Sequence, residues 1–200
     1  MPRAPRQQVA DGLYHVTSRG NRREPIFLDS LGFGRFLAIL ELATRRFGWR
    51  CIAYCLMRNH YHLVIRTPEA NISQGMHLLN GSYARWFNLH HGLQGHLFER
   101  RFHAAAIESD WHLLESCRYV VLNPVRAGLV VKPADWKWSS YRATIAAHRA
   151  ATPIAVDEVL GYFGGRRADA CEAFRSFVAD VPTVVRSRHV QVPGTGTWPD

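Results

Sequence analysis

Two hundred residues, 47% hydrophobic and 20% charged, suffice for one globular domain with its own core and a small appendage. No run approaches the roughly 18 apolar residues that span a bilayer, and four scattered cysteines behind a basic start (Met1 to Gln8) argue against a disulfide-stapled secreted scaffold, so a reduced cytosolic protein with no membrane contact is expected. Lys plus Arg outnumber Asp plus Glu by 25 to 16, a formal charge of +9, and nearly all of the basic side chains are arginine, whose planar forks match phosphates and stack on bases. An arginine-rich proteome of high genomic GC content accounts for only part of that excess.

After a basic tail (1–10), Tyr14 to Thr17 reads as a strand ended by a turn at Ser18-Arg19-Gly20-Asn21. Asp29 or Ser30 caps a helix with Phe33, Phe36, Leu37, Leu40 and Ala43 at helical spacing, and Gly48 stops it. Trp49 to Met57 and His60 to Thr67 are strand-like runs separated only by Arg58-Asn59, which forces an antiparallel hairpin. Asn71 or Ser73 opens a second helix carrying Met76, Leu79, Tyr83, Trp86 and Phe87, closed by His90-His91-Gly92. An extended piece, His96 to Glu108, precedes a helix capped at Ser109 or Asp110 and bearing Tyr119. Strand, helix, strand, strand, helix, strand is the split βαβ order of an α+β, ferredoxin-like (RRM-like) sandwich, with helices on one face of an antiparallel sheet and the other face open to nucleic acid. The aromatic segment Pro133 to Tyr141 is expected to pack back across this domain (11–145). A helical extension (146–180) with helices at Val156 to Phe163 and Ala168 to Val178 follows, and a flexible tail (181–200) ends the chain.

On a strand His60 and His62 point the same way, about 6 to 7 Å apart, with Tyr61 on the opposite side. Two imidazoles at that separation can share one divalent ion. A structural zinc that adds Cys51 and Cys55 is disfavoured, since Cys51 lies about 13 Å further along its strand than Cys55. The phenol of Tyr119 needs an electrophilic target or loss of its proton to act as a nucleophile, and an ion with open positions supplies the first. Magnesium prefers oxygen, so a third ligand is expected; Asn123, one turn from Tyr119 on the same face, can supply an amide oxygen. Pro124 should place Asn123 at or just past the helix end. Taken singly, each of these residues also fits ordinary packing, and spacing alone leaves both readings open.

Tyr54-Cys55-Leu56-Met57-Arg58-Asn59-His60-Tyr61-His62-Leu63-Val64-Ile65 resembles the HUH segment of single-tyrosine, insertion-sequence-type transposases, and Tyr119 to Val130 resembles the tyrosine helix of their REP-associated branch. Tyr14 to Arg23 and Phe98 to Phe102 match as well, so the similarity covers roughly residues 10 to 145. The resemblance implies a bacterial, nucleoid-associated, Mg²⁺- or Mn²⁺-dependent endonuclease and strand transferase acting on single-stranded DNA with palindromic hairpin repeats. In it Tyr119 is the nucleophile that forms a 5′-phosphotyrosine link, His60 and His62 are metal ligands, and Asn123 is the third ligand. Two positions depart from the family pattern: Arg58 stands where many relatives have proline, and Asn123 replaces a more usual glutamine. DNA contacts are expected from Arg19, Arg22, Arg23, Arg58, Arg100, Arg101 and Arg126, with base stacking on Phe102 and Trp86. A monomer is expected rather than a homodimer. Two other readings remain at this point: a catalytically inactive DNA or RNA hairpin-binding protein, and a hydrolase in which water attacks and Tyr119 is structural.

Overall fold

Strand, helix, strand, strand, helix, strand is the order in the computed structural model, which describes residues 8–146 and 154–180: β1 (Gly12–Arg19), α1 (Ser30–Phe47), β2 (Arg50–Leu56), β3 (His60–Thr67), α2 (Ile72–His91) and β4 (His103–Ala106). They are followed by α3 (Asp110–Arg126), α4 (Tyr141–Thr144), α5 (Val156–Leu160) and α6 (Arg167–Ala179). The strands form one antiparallel sheet in the order β2-β3-β1-β4, the ferredoxin-like arrangement anticipated from the element order. Most of the basic N-terminal tail and all of the tail at 181–200 lie outside the described residues.

The short turn at Arg58-Asn59 sets the register. Met57 donates its N–H to the His60 carbonyl at 2.8 Å, which closes the β2-β3 hairpin and pairs Cys55 with His62 and Leu56 with Tyr61. One face of the sheet meets α1 and α2. Asp29 begins α1 by accepting from the Gly32 N–H at 2.8 Å, and Gly48, in the left-handed region at φ 66°, ends it. The inner stripe of α1 (Phe33, Phe36, Leu40, Ala43) and that of α2 (Ile72, Met76, Leu79, Tyr83, Phe87) close over Val16, Tyr61, Leu63 and Ile65. Gly75 lets α2 approach the Trp49 ring so closely that a Cβ there would lie 2.0 Å from it.

The opposite face is not open along its whole length, which corrects the expectation of helices on one face only. Every residue of β2 from Cys51 to Leu56 is buried, and a strand buried at consecutive positions must be covered on both sides. α3 supplies that second cover: Leu113, Cys117, Val120 and Val121 pack on Ile52, Ala53, Cys55 and Val64, with Phe174 and Val178 of α6 behind them. Among the described residues only the end of the face near β1 and β4 is left accessible, with Thr17, Arg19, His103 and Ala105 partly exposed.

Segment 136–140 does pack back across the domain and covers the outer edge of β2. Leu56 donates its N–H to Trp138 O and Ser140 donates its N–H to Tyr54 O, both at 2.9 Å, while the Trp136 indole N–H bonds Leu56 O at 3.0 Å. Three boundaries differ from expectation. β1 runs on through Ser18 and Arg19 because Arg19 pairs with His60; β4 is confined to His103–Ala106, since only these residues pair with β1. α3 continues past Pro124 to Arg126, so Asn123 lies inside the helix. A proline so near a C-terminus removes a single hydrogen bond, and the Ala127 N–H still reaches Asn123 O at 3.0 Å.

Two glycines of α2 give opposite expectations. Gly75→Ala should lower stability in urea by about 1–3 kcal/mol through overpacking against Trp49. Gly81→Ala, with nothing within 4 Å of its Cβ, should be neutral or stabilising by up to about 1 kcal/mol. Equal effects of the two changes would contradict the tight α2–Trp49 contact.

Candidate active site on the second sheet face

β3 presents His60 and His62 to the face that α3 covers, with ring centroids 5.1 Å apart. The β1 register sets Arg19 opposite His60 and Thr17 opposite His62. From above, α3 lowers Tyr119, whose ring centroid is 5.5 Å from that of His62, and one turn later Asn123, whose side chain comes within hydrogen-bonding reach of His60. The structure thus brings Tyr119, His60, His62 and Asn123 together. One helical turn further on, the Arg126 guanidinium lies 4.8 Å from the centre of the Tyr119 ring.

Each histidine has a partner on its Nδ1 side. His60 Nδ1 is 2.7 Å from Asn59 Oδ1, and Asn59 Nδ2 donates to the Arg23 carbonyl at 3.0 Å. His62 Nδ1 is 3.0 Å from His15 Nε2, and the His15 ring also lies edge-on to Tyr119 at 5.8 Å. Burial, with the Arg19 charge added, pushes His60 down to about 4, against the opposing hydrogen bond with Asn123. Burial, then His60, His15 and Arg19, hold His62 well below the ordinary imidazole value, and burial with His103 and His112 brings His15 to about 4. All three rings are neutral at pH 7, the state that offers a lone pair to a metal.

Two neutral imidazoles beside an amide fit a divalent ion that accepts mixed nitrogen and oxygen ligands. Cys51 sits opposite Ile65, far along the hairpin from His62, and its thiol is raised to about 12 by burial, so it is not part of the cluster.

The expected arginines fall into one group and one outlier. Backbone bonds from Asn21 N to Leu97 O and from Glu99 N to Arg19 O lay the loop 97–101 beside the turn at Asn21–Arg23, so Arg19, Arg22, Arg23, Arg100 and Arg101 share the end of the sheet where His60 lies. Arg100 bonds Glu99 at 2.8 Å. Arg58 is exposed on the hairpin turn at the same end, its carbonyl taking the Ile26 and Phe27 N–H groups. Arg126 stands apart on α3. Phe102 is buried in the α1–α2 core and so offers no stacking surface, contrary to expectation; Trp86 is half-buried and stacks on His90 at 5.0 Å. Sequence reading missed His15 and His112. The spacing His112, Tyr119, Asn123, Arg126 marks one helical face and could have revealed His112; His15 needed the β1–β3 register.

The family model for IS200-like transposases matches residues 8–123. The chain belongs to the IS200-like transposase family. Its matched segment includes both histidines, Tyr119 and Asn123. A curated Haemophilus influenzae protein described as a REP-associated tyrosine transposase is 23% identical over 147 residues, 68% of this chain and 83% of that one. The solved structure of a REP-associated tyrosine transposase bound to a REP hairpin shares the fold at a TM-score of 0.63 and 20% identity, over 75% of this chain and 88% of that one. Among the described residues no helix is long and apolar enough to cross a membrane.

The buried rings give this family member a pH signature. The unfolded chain protonates His15 and His62 near 6.5, whereas the fold keeps both neutral. Their contribution is therefore fully present above about pH 6.5 and falls as the pH drops towards the depressed folded values. Urea unfolding of the metal-free protein should show stability at pH 5 below that at pH 7.5, by about 2 kcal/mol from the His15 ring, with His62 shifting it in the same direction. Equal stability at both pH values would contradict the buried neutral pair.

Proposed function

We propose that this transposase-family chain is a metal-dependent single-strand DNA endonuclease and strand transferase that acts through Tyr119 at hairpin-forming repeats. One observation carries the proposal: the Tyr119 ring lies 5.5 Å from that of His62, next to His60 and Asn123, on a surface bordered by arginines. In this reading His60, His62 and Asn123 would hold Mg²⁺ or Mn²⁺, and the ion would supply Lewis-acid polarisation of the scissile phosphate.

The chain's own groups do the rest. The Tyr119 phenol gives its proton to water and its oxygen attacks phosphorus; the Oη–P bond forms, the P–O3′ bond breaks, and the departing 3′ oxygen takes up a proton from water. A 5′-phosphotyrosine link and a free 3′-hydroxyl result, and attack by a second 3′-hydroxyl reverses the chemistry to rejoin strands without ATP. Arg126, over the phenol ring, and Arg19, opposite His60, stand where they can meet phosphate oxygens. The arginines at the end of the sheet would hold the flanking DNA, and the REP hairpin bound by the solved relative supports a hairpin substrate. Tyr119 reaches the histidine pair of its own chain, which supports a monomer acting in cis.

Labelled single-stranded oligonucleotide carrying the host's repeat hairpin, incubated with Mg²⁺ or Mn²⁺, should give a covalent protein–DNA product that is absent in Tyr119→Phe. Cleavage without an adduct would favour a water-attacking hydrolase, and tight binding without cleavage an inactive hairpin binder. If about six arginines reach phosphate, the affinity for single strands should fall with salt at a log-log slope of about −4. A flat response would contradict the basic border.

A further inference from the structure

We infer that Asn59 and His15 are positioning residues that fix the proton on Nδ1 of His60 and of His62, so that both rings can offer an Nε2 lone pair to one ion. The inference deepens the proposed metal-dependent reading and rests on it.

For His60 the hydrogen bonds determine the assignment. A side-chain amide has one end that donates and one that accepts. Asn59 donates from Nδ2 to the Arg23 carbonyl at 3.0 Å, so the atom 2.7 Å from His60 Nδ1 is its oxygen, which can only accept. His60 Nδ1 therefore carries the proton and Nε2 carries the lone pair. The carbonyl that orients Asn59 belongs to Arg23, which with Arg22 takes left-handed backbone angles, φ 62° and 54°. Non-glycine residues adopt that conformation only where their surroundings impose it, and here the strained turn aims the carbonyl at Asn59.

His62 faces a different partner. One proton lies between its Nδ1 and His15 Nε2, 3.0 Å apart. Were His15 the donor, neutral His62 would carry its own proton on Nε2 and could not ligate through that atom. With His62 as donor, His15 keeps its proton on Nδ1 and accepts, and His62 matches His60. Metal-bound histidines commonly donate their second ring N–H to such an outer partner, which holds the ring in place and fixes its tautomer. His15 sits at 8% exposure on β1, a strand that supplies none of the three proposed ligands, so the β1–β3 pairing delivers the partner to the ligand.

The test uses the full chain and Mn²⁺ alone, without DNA. Mn²⁺ binding is titrated by electron paramagnetic resonance for wild type, His15→Leu and His15→Gln, the glutamine placing an acceptor oxygen near the lost Nε2. Affinity should fall about 10-fold or more in His15→Leu and stay within about 3-fold of wild type in His15→Gln. Equal affinity of all three, or an equal loss in both variants, overturns the positioning role. Failure of the wild type to bind Mn²⁺ overturns the metal reading itself, and this inference with it. A second measurement needs no substitution: ¹⁵N–¹H correlation spectra of the histidine rings in the metal-free wild type should show His60 and His62 protonated on Nδ1, and a proton on Nε2 of His62 overturns the inference even if the variants fail to fold.

Discussion

The placement of α3 over the second face of the sheet is the constraint on which the site depends. β2 is apolar on both sides, so the chain has to provide a second layer, and α3 provides it with Leu113, Cys117, Val120 and Val121. Each fully buried aliphatic side chain contributes about 1.5–3 kcal/mol, enough for this stripe to fix the rotation of the helix about its axis. Once that rotation is fixed, Tyr119 and Asn123 face the histidine pair. Arg118, buried on the same helix, bonds the Phe177 and Asp180 carbonyls and lies over the Phe177 ring, which ties the helix to α6 from behind. The C-terminal extension thereby steadies the element that carries the phenol.

Electrostatically the site is a neutral centre inside a positive border. The sheet buries His15, His60 and His62 deeply enough to keep them uncharged, and Arg19 discourages protonation of His60 and His62 further. The cationic side chains stay at the end of the sheet, on the hairpin turn and on the outer part of α3. Such a division would suit the proposed reaction at phosphorus, with lone pairs in the middle and fixed charge around them.

Much of this was legible because local chemistry dictated it. The two-residue turn forced the hairpin, Asp29, Gly48 and Gly92 punctuated the helices, and period-two alternation alone set His60 and His62 side by side. The helical period likewise paired Tyr119 with Asn123. What escaped depended on contacts between distant segments. β4 is His-Ala-Ala-Ala, a weak strand former that exists because β1 pairs with it. His15 resembled any strand residue until the register set it diagonally across from His62. The second cover on the sheet had a signal that was not used: an unbroken apolar run from Cys51 to Leu56 cannot belong to a strand with one face in water. Pro124 misled because its cost depends on how much helix follows it, and here only two residues do.

The central claim is that the fold selects one phenol, that of Tyr119, from the seven tyrosines of the chain by holding it over the histidine pair. Mass spectrometry of the protease-digested protein–DNA adduct locates the covalent bond most directly. The nucleotide should be found on the peptide containing Tyr119 and attached through its phenolic oxygen; a nucleotide on any other side chain would contradict the claim.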